Sequence, residues 1–287
     1  MNKLLTGYLA VTLVCLLCFA LPSPCFAQTE AGSSEVPLLA GMDVVILGDS
    51  NTWIGGDDNS DPKGWNYWLQ RECQPRSLRS YARSGATWTN TRASRRDPAY
   101  YSEKLDDNNV MFNQIVRLIE ATDSNRQAVP QLIFLSAGTN DAWFADRRPE
   151  EFSITAETAL RRDVGELMAL PPSKITTLAE SVRYGIRLLL SRFPEARIVV
   201  LTPLQSIKVS DEMLQAVAGI IEQVAVGENC AVLRQDILCP VRADRERFNR
   251  QLTSDGTHTS PAGARANARA ITSALPAILY KGFNTHQ

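Results

Sequence analysis

Short runs with strand character recur along the chain at residues 44–47, 78–81, 132–135, 198–201 and 231–233. The segments between them are long enough for crossover connections, and several carry a helical rhythm. Over residues 173–193 the apolar side chains Ile175, Leu178, Val182, Ile186, Leu189 and Phe193 fall at steps of three and four, which predicts a helix with one buried face, ended by Pro194. Ser260-Pro261 supplies a cap followed by proline at the first helical position, opening an alanine-rich helix over 262–275. Residues 211–223 are a third helical candidate. Strands alternating with amphipathic helices predict an α/β fold with a parallel sheet covered on both faces, and ligands in such folds bind beyond the carboxyl ends of the strands. The charged stretch 92–107 reads as a solvated excursion. Residues 142–172 form a second one, which either shapes a substrate pocket or decorates the surface.

The N-terminus follows a different pattern. Lys3 precedes an apolar run over residues 9–21, followed by Pro22-Ser23-Pro24 and Cys25-Phe26-Ala27. About a dozen apolar residues are too few for a membrane span, which takes roughly 18 or more, and fit a cleaved secretory signal over residues 1–27. The chain is therefore expected to be exported, to a periplasmic or extracellular space. Pro24 disfavours a lipid anchor on Cys25. Residues 28–41 read as a leader and 42–287 as a single domain, long enough to bury a full core.

Cutting after Ala27 removes one charge, Lys3, and moves the formal net charge from −1 to −2. A near-neutral balance without a lysine or arginine block argues against nucleic acid as a partner, and there is no second apolar span. Cys73, Cys230 and Cys239 would remain after cleavage. Cys230 and Cys239 are close enough in sequence to pair, or all three are buried thiols. No Cys/His spacing suggests a metal site.

Histidine is the scarcest useful residue, because the chain has only His258 and the penultimate His286. A base that titrates near neutral pH is therefore His258, with Asp255 three residues upstream in Ser254-Asp255-Gly256-Thr257-His258. In a turn, that spacing lets a carboxylate orient one imidazole nitrogen while the other faces a nucleophile. Val44-Val45-Ile46-Leu47-Gly48-Asp49-Ser50 offers the nucleophile at a strand exit: Gly48 permits a sharp bend, Asp49 can hold local amides, and Ser50 opens the next helix. Taken alone, Ser50 reads as a helix cap, and only the other blocks make it a nucleophile. Gly85, in Ser84-Gly85-Ala86, and Asn140, in Gly138-Thr139-Asn140-Asp141, follow the second and third strands. Their amides, with that of Ser50, could converge on a developing oxyanion, and glycine at 85 would leave room for an acyl group.

In this order the blocks Gly48-Asp49-Ser50, Gly85, Gly138-Thr139-Asn140-Asp141 and Asp255-Gly256-Thr257-His258 resemble the SGNH or GDSL-type hydrolase family over about the whole mature chain. The resemblance implies a flavodoxin-like three-layer α/β/α sandwich with a central parallel sheet of about five strands. It implies Ser50 as nucleophile, His258 as base, Asp255 as its orienting acid, and Ser50, Gly85 and Asn140 as oxyanion donors, with no metal or organic cofactor. Asn51 departs from the leucine or isoleucine frequent after the serine, which puts a lipase-like subfamily in doubt.

Trp53, Trp88 and Trp143 each fall three residues after Ser50, Gly85 and Asn140. Indole faces suit sugar rings and also suit ordinary packing, and the expectation is that at least one of the three lines the substrate pocket and favours an acylated carbohydrate. The favoured expectation is a secreted serine esterase acting on a small-molecule or carbohydrate ester and removing a small acyl group. Lysophospholipase, thioesterase and acyltransferase activities fit the same four groups. A noncatalytic binding module, or a phosphate-binding flavodoxin-like protein using the Gly48 turn, is the alternative from another class.

Overall fold

The computed structural model describes residues 36–280; the expected signal, most of the leader and His286 lie outside the described residues. Five strands, β1 Asp43–Gly48, β2 Ser77–Ser80, β3 Leu132–Ser136, β4 Arg197–Leu201 and β5 Ala231–Leu233, coincide with the five predicted runs to within a residue or so at either end. They form one parallel sheet in the order β2-β1-β3-β4-β5. Alternate residues on each strand serve opposite faces, as the period of two requires.

Val45, Leu47, Ile133, Leu135, Ile198 and Val200 pack under three helices, α3 Met111–Asp123, α7 Leu178–Arg192 and α8 Asp211–Gly227. Val44, Ile46, Leu132, Phe134, Val199 and Leu201 pack under α2 Trp65–Cys73 and α11 Pro261–Tyr280. The result is a three-layer sandwich whose strands are apolar on both sides, as parallel sheets require. Shorter helices complete the connections: α1 Ser50–Trp53, α4 Thr139–Trp143, α5 Ala156–Arg161, α6 Val164–Met168, α9 Gln235–Leu238 and α10 Ala243–Phe248.

Several helix starts follow from side-chain caps. Thr177 caps α7, where the Glu180 amide donates to Thr177 Oγ1 and the hydroxyl in turn donates to the Glu180 carboxylate. This cap starts α7 at Leu178 rather than 173, and Pro172–Lys174 forms a separate 3₁₀ turn. Ser210 caps α8 through the Met213 amide, and Ser260 caps α11 through the Gly263 amide, with Pro261 at its first position.

Other boundaries differ from the sequence reading. Helix α11 continues past Leu275 through Pro276 to Tyr280. The packed fold begins before Met42: Leu39 is fully buried among the α2 and α11 side chains and donates its amide to the Cys73 carbonyl. Residues 142–172 are not surface decoration, since Ala156 and Ala159 of α5 enter the core beside α7 and α8. Cys73, Cys230 and Cys239 are free thiols, and burial pushes them up to about 11, 12 and 11 respectively. Of the two readings of the cysteines, the unpaired one describes the structure.

Candidate active site

The strand order explains how distant blocks meet. β1 lies between β2 and β3, so the loops leaving their carboxyl ends stand side by side, and these loops carry Ser50, Gly85 and Asn140. Helix α11 packs against α2 on the other face, which brings the loop before it to the same end of the sheet.

Gly48 ends β1 under close constraint. Its N–H donates to Gln114 Oε1 and its carbonyl accepts from Gln114 Nε2, each at 2.9 Å, so a buried side chain on α3 stands in for a neighbouring strand. A Cβ at 48 would sit 2.5 Å from the Ser136 carbonyl oxygen on β3, so only glycine lets the two strands remain paired this far. Asp49 then caps α1 by accepting the Asn51 amide at 3.1 Å. Burial raises its carboxyl to about 6, against the lowering effect of the Thr139 hydrogen bonds, the Asn51 amide and the charge of His258. Trp65 holds the far side of α1 by donating its indole N–H to Thr52 Oγ1 at 2.9 Å.

Ser50, the first residue of α1, is 7 % exposed, and its Oγ lies 2.9 Å from His258 Nε2. His258 Nδ1 lies 2.8 Å from Asp255 Oδ2, while Asp255 Oδ1 accepts the amides of Thr257 at 2.9 Å and His258 at 2.8 Å. Burial works to raise the Asp255 carboxyl, but the bonds from the His258 amide and ring and from the Thr257 amide outweigh it and hold the group below the usual range. The loop itself is tied down at several points: the Ile207 amide donates to the Gly256 carbonyl, Thr257 and Ser206 share a hydroxyl contact of 2.6 Å, and Thr259 donates to the Lys63 carbonyl. The imidazole is therefore fixed by backbone on both sides of the chain.

The two remaining blocks are laced together. Asn140 Nδ2 donates to the Ala86 carbonyl at 2.9 Å, leaving its second N–H for another acceptor. Asp141, with no exposure, accepts the Trp88 amide, the Thr89 amide and the Thr89 hydroxyl at 3.0, 3.0 and 2.7 Å. Among the described residues the amides of Ser50 and Gly85 have no intramolecular acceptor. The reason for glycine at 85 differs from the one expected: its φ is +75°, and a Cβ there would meet the Lys104 carbonyl carbon at 2.7 Å. The missing side chain admits the 103–104 backbone rather than an acyl group. By the same token, the stretch 92–107 is not merely solvated, because Ser94 is buried and the 103–104 carbonyls close over Gly85.

The three tryptophans separate. Trp88 is 1 % exposed and donates its indole N–H to the Ala137 carbonyl, so it is a core residue and cannot line a substrate pocket. Trp143 is 39 % exposed and stacks on Phe144 with rings 10° apart. Trp53 borders a recess of about 510 Å³ shared with Ile54, Arg83 and Tyr101. Sequence reasoning missed Gln114, Trp65 and the bracing role of Asp141. Among the described residues, no group of three His, Cys, Asp or Glu side chains is placed to hold a metal ion, and no helix is long and apolar enough to cross a membrane.

A serine, an imidazole and a carboxylate in series, beside free amides at a helix N-terminus, can take a proton from a hydroxyl and stabilise a tetrahedral oxyanion. The family model described as the GDSL-like lipase/acylhydrolase family matches residues 46–266. The chain belongs to that family. This GDSL-like ester hydrolase shares its fold with several solved structures. A Bacteroides uniformis protein designated a GDSL-like lipase is 16% identical over 83% of this chain and 97% of its own, with a TM-score of 0.51. A Chitinophaga pinensis protein designated a lipase is 17% identical over 83% and 98%, also at 0.51. An acetyl xylan esterase, AlAXEase, is 16% identical over 81% and 99%, at 0.50. No curated protein sequence matches the chain. The structure brings Ser50, Asp255 and His258 of the GDSL-like hydrolase into one hydrogen-bonded series, sets Gly85 and Asn140 on adjoining loops, and removes Trp88 from the site.

Proposed function

We propose that this GDSL-like hydrolase is an exported serine esterase that forms an acyl-enzyme on Ser50 and removes small acyl groups, acetyl above all, from carbohydrate. The observation that carries the reading is the unbroken series Ser50 Oγ to His258 Nε2 to Asp255, at 2.9 and 2.8 Å. His258 takes the proton of Ser50 as the oxygen attacks the ester carbonyl, and Asp255 holds the imidazolium. The amides of Ser50 and Gly85 and the side chain of Asn140 receive the oxyanion. The alcohol departs with the proton from His258, after which a water activated by the same imidazole releases the acid and restores Ser50. These roles call for no metal or organic cofactor.

The carbohydrate preference rests on the Trp53 recess next to the serine helix, on the exposed Trp143, and on the occurrence of an acetyl xylan esterase among the proteins of this fold. Export rests on the N-terminal pattern of residues 1–27.

Titration with a serine-directed organophosphorus reagent tests the nucleophile: one equivalent should attach at Ser50, and labelling elsewhere, or none, would refute the mechanism. A panel of acetylated sugars, p-nitrophenyl esters of graded chain length and lysophospholipid tests the substrate class, with acetylated sugars expected to give the highest kcat/KM. Alanine at Trp53 or Trp143 should lower activity on acetylated sugars more than on p-nitrophenyl acetate.

A further inference from the structure

Arg83, two residues before Gly85, forms a wall between two cavities. On one side lies the recess beside Trp53. On the other, between the end of β2 and α3, is a cavity of about 370 Å³ bordered by Asp57, Arg79, Tyr81, Arg83, Arg117 and Arg126. Four guanidinium groups thus face a single carboxylate. That carboxylate is already taken, since Asp57 is paired with Arg83 through bonds of 2.8 and 3.3 Å. Among the described residues, Arg79, Arg117 and Arg126 have no carboxylate within ion-pair distance, and the buried Nε atoms of Arg83 and Arg117 have no hydrogen-bond partner.

Gathering like charges around a partly closed space is costly, and among the described residues the offsets are the Asp57 pair of Arg83 and the Tyr81 and Tyr101 rings beneath Arg79 and Arg83. Among the described residues the Arg117 side chain donates only to the Tyr81 carbonyl, at 3.2 Å, and the Arg126 side chain only to Ser124 Oγ. Burial, with the charge of Arg83 next to it, pulls the Arg117 guanidinium down to about 10. The adjoining recess adds Asp43 and Asp58 beside Arg79 and Arg126; Asp43 is paired with Arg76, and the single negative charge of Asp58 leaves the arginines in excess. The cluster therefore keeps a net positive charge in a chain that is close to neutral as a whole. Guanidinium forks of this kind match the planar and tetrahedral geometry of oxyanions through paired N–H donors.

Building on the esterase reading above, we propose that this arginine cavity binds an oxyanion group carried by the substrate, so that the enzyme selects acylated carbohydrates that are themselves anionic. The link to Ser50 is Arg83. Its amide donates to the Gly48 carbonyl at 3.0 Å, its side chain borders both cavities, and the chain beyond it leads directly to Gly85. In this reading the sugar lies against Trp53 with its acyl group at Ser50, and its charged substituent extends past Arg83 and Asp57, the two residues that border both cavities. Carboxylates of uronic acids and sulfate or phosphate esters share the necessary chemistry.

The test compares kcat/KM of the full protein on O-acetylated methyl glycosides that differ only in their charge: neutral, uronate, 6-sulfate and 6-phosphate. At least one anionic glycoside should be preferred by roughly 10-fold or more, the factor that one or two charge-assisted hydrogen bonds supply. Arg117→Gln and the surface variant Arg79→Gln should each cut that preference, and Arg79→Gln decides the matter if the more buried Arg117 proves necessary for folding. The identity of the preferred glycoside distinguishes a carboxylate from a sulfate or phosphate.

p-Nitrophenyl acetate reports the ester hydrolysis independently of any charge. Hydrolysis of that ester without preference for any anionic glycoside, or a preference that both arginine variants retain, would overturn the proposal and leave the esterase reading intact. If no ester is cleaved, the esterase reading fails instead. Titration of the protein with inorganic sulfate, phosphate and glucuronate by calorimetry then judges the cavity, where absence of binding, or binding unchanged in the two variants, overturns it.

Discussion

Replacing Asp141 tests whether the loops that carry Gly85 and Asn140 are held together as described. Its carboxylate accepts three hydrogen bonds, two of them from the backbone amides of Trp88 and Thr89, in a position with no solvent exposure. Asp141→Ala leaves both amides buried without an acceptor, and at about 1–3 kcal/mol for each orphaned donor the loss is on the order of 2–6 kcal/mol. Some of this is returned, because burial raises the carboxyl above its ordinary range, so the native state bears a desolvation cost that alanine removes. Set against a total stability of about 5–15 kcal/mol, the alanine variant stands at the edge of folding. Asp141→Asn is therefore the decisive variant. It keeps the volume and one acceptor oxygen but turns an NH₂ toward a donor, and should cost about 1–3 kcal/mol. The asparagine variant should also lose catalysis, approaching the roughly 10²-fold expected when one oxyanion donor is misplaced. Urea unfolding gives the first quantity, and kcat on p-nitrophenyl acetate gives the second. An asparagine variant with the wild-type midpoint and kcat within about twofold of wild type would show that Asp141 does not brace the site.

Four further outcomes are expected. Ser50→Ala should lower kcat by about 10⁴-fold or more and Asn140→Ala by about 10²- to 10³-fold, both measured on the best substrate of the ester panel; a fully active Ser50→Ala protein would end the serine mechanism. Gly85→Ala combines a left-handed φ with a backbone collision at Lys104 and should cost at least about 2 kcal/mol in urea unfolding, so a variant as stable as wild type would contradict the packing described. Glu151, buried next to Arg148, is pushed up to about 8 by burial and by the charge of Asp141, against the pull of Arg148. It stays protonated in the fold over a range where the unfolded chain has lost the proton, so its contribution to stability declines as pH rises from about 4.5 to about 8. The Tm of Glu151→Gln relative to wild type should therefore climb between pH 5 and pH 8, and parallel curves would count against the shift.

What could be read from the sequence follows physical lines. The strands announce themselves as short β-rich runs, α7 through its apolar rhythm and α11 through its Ser260-Pro261 start, and α7, α8 and α11 all begin on a capping hydroxyl, at Thr177, Ser210 and Ser260. Helices α2 and α3 escaped notice. They start at Gly64 and Val110 with no side-chain cap, and α3 buries Asn113 and Gln114 alongside its apolar residues, which blurs its pattern. In the site, Asp255 and His258 were legible because three residues of one turn bring them together. Gln114 and Asp141 act on backbone 66 and about 50 residues away, and no local pattern marks a side chain whose partner is distant backbone. Trp88 shows the converse: its spacing from Gly85 matched that of Trp53 from Ser50, yet spacing does not fix direction, and its indole turned into the core.

Ser50 and His258 meet across 208 positions of chain, one at the exit of the first strand and the other at the threshold of the last helix. Closing a separation of that size is slow compared with forming local structure, and the loop that carries His258 runs directly into α11, which packs against α2. A polypeptide cut short before residue 255 carries the serine and both loop amides but lacks any base to act with them. Esterase activity therefore doubles as a reporter of completed synthesis: in refolding it should recover no earlier than the slowest structural signal, and partial chains should be chemically silent.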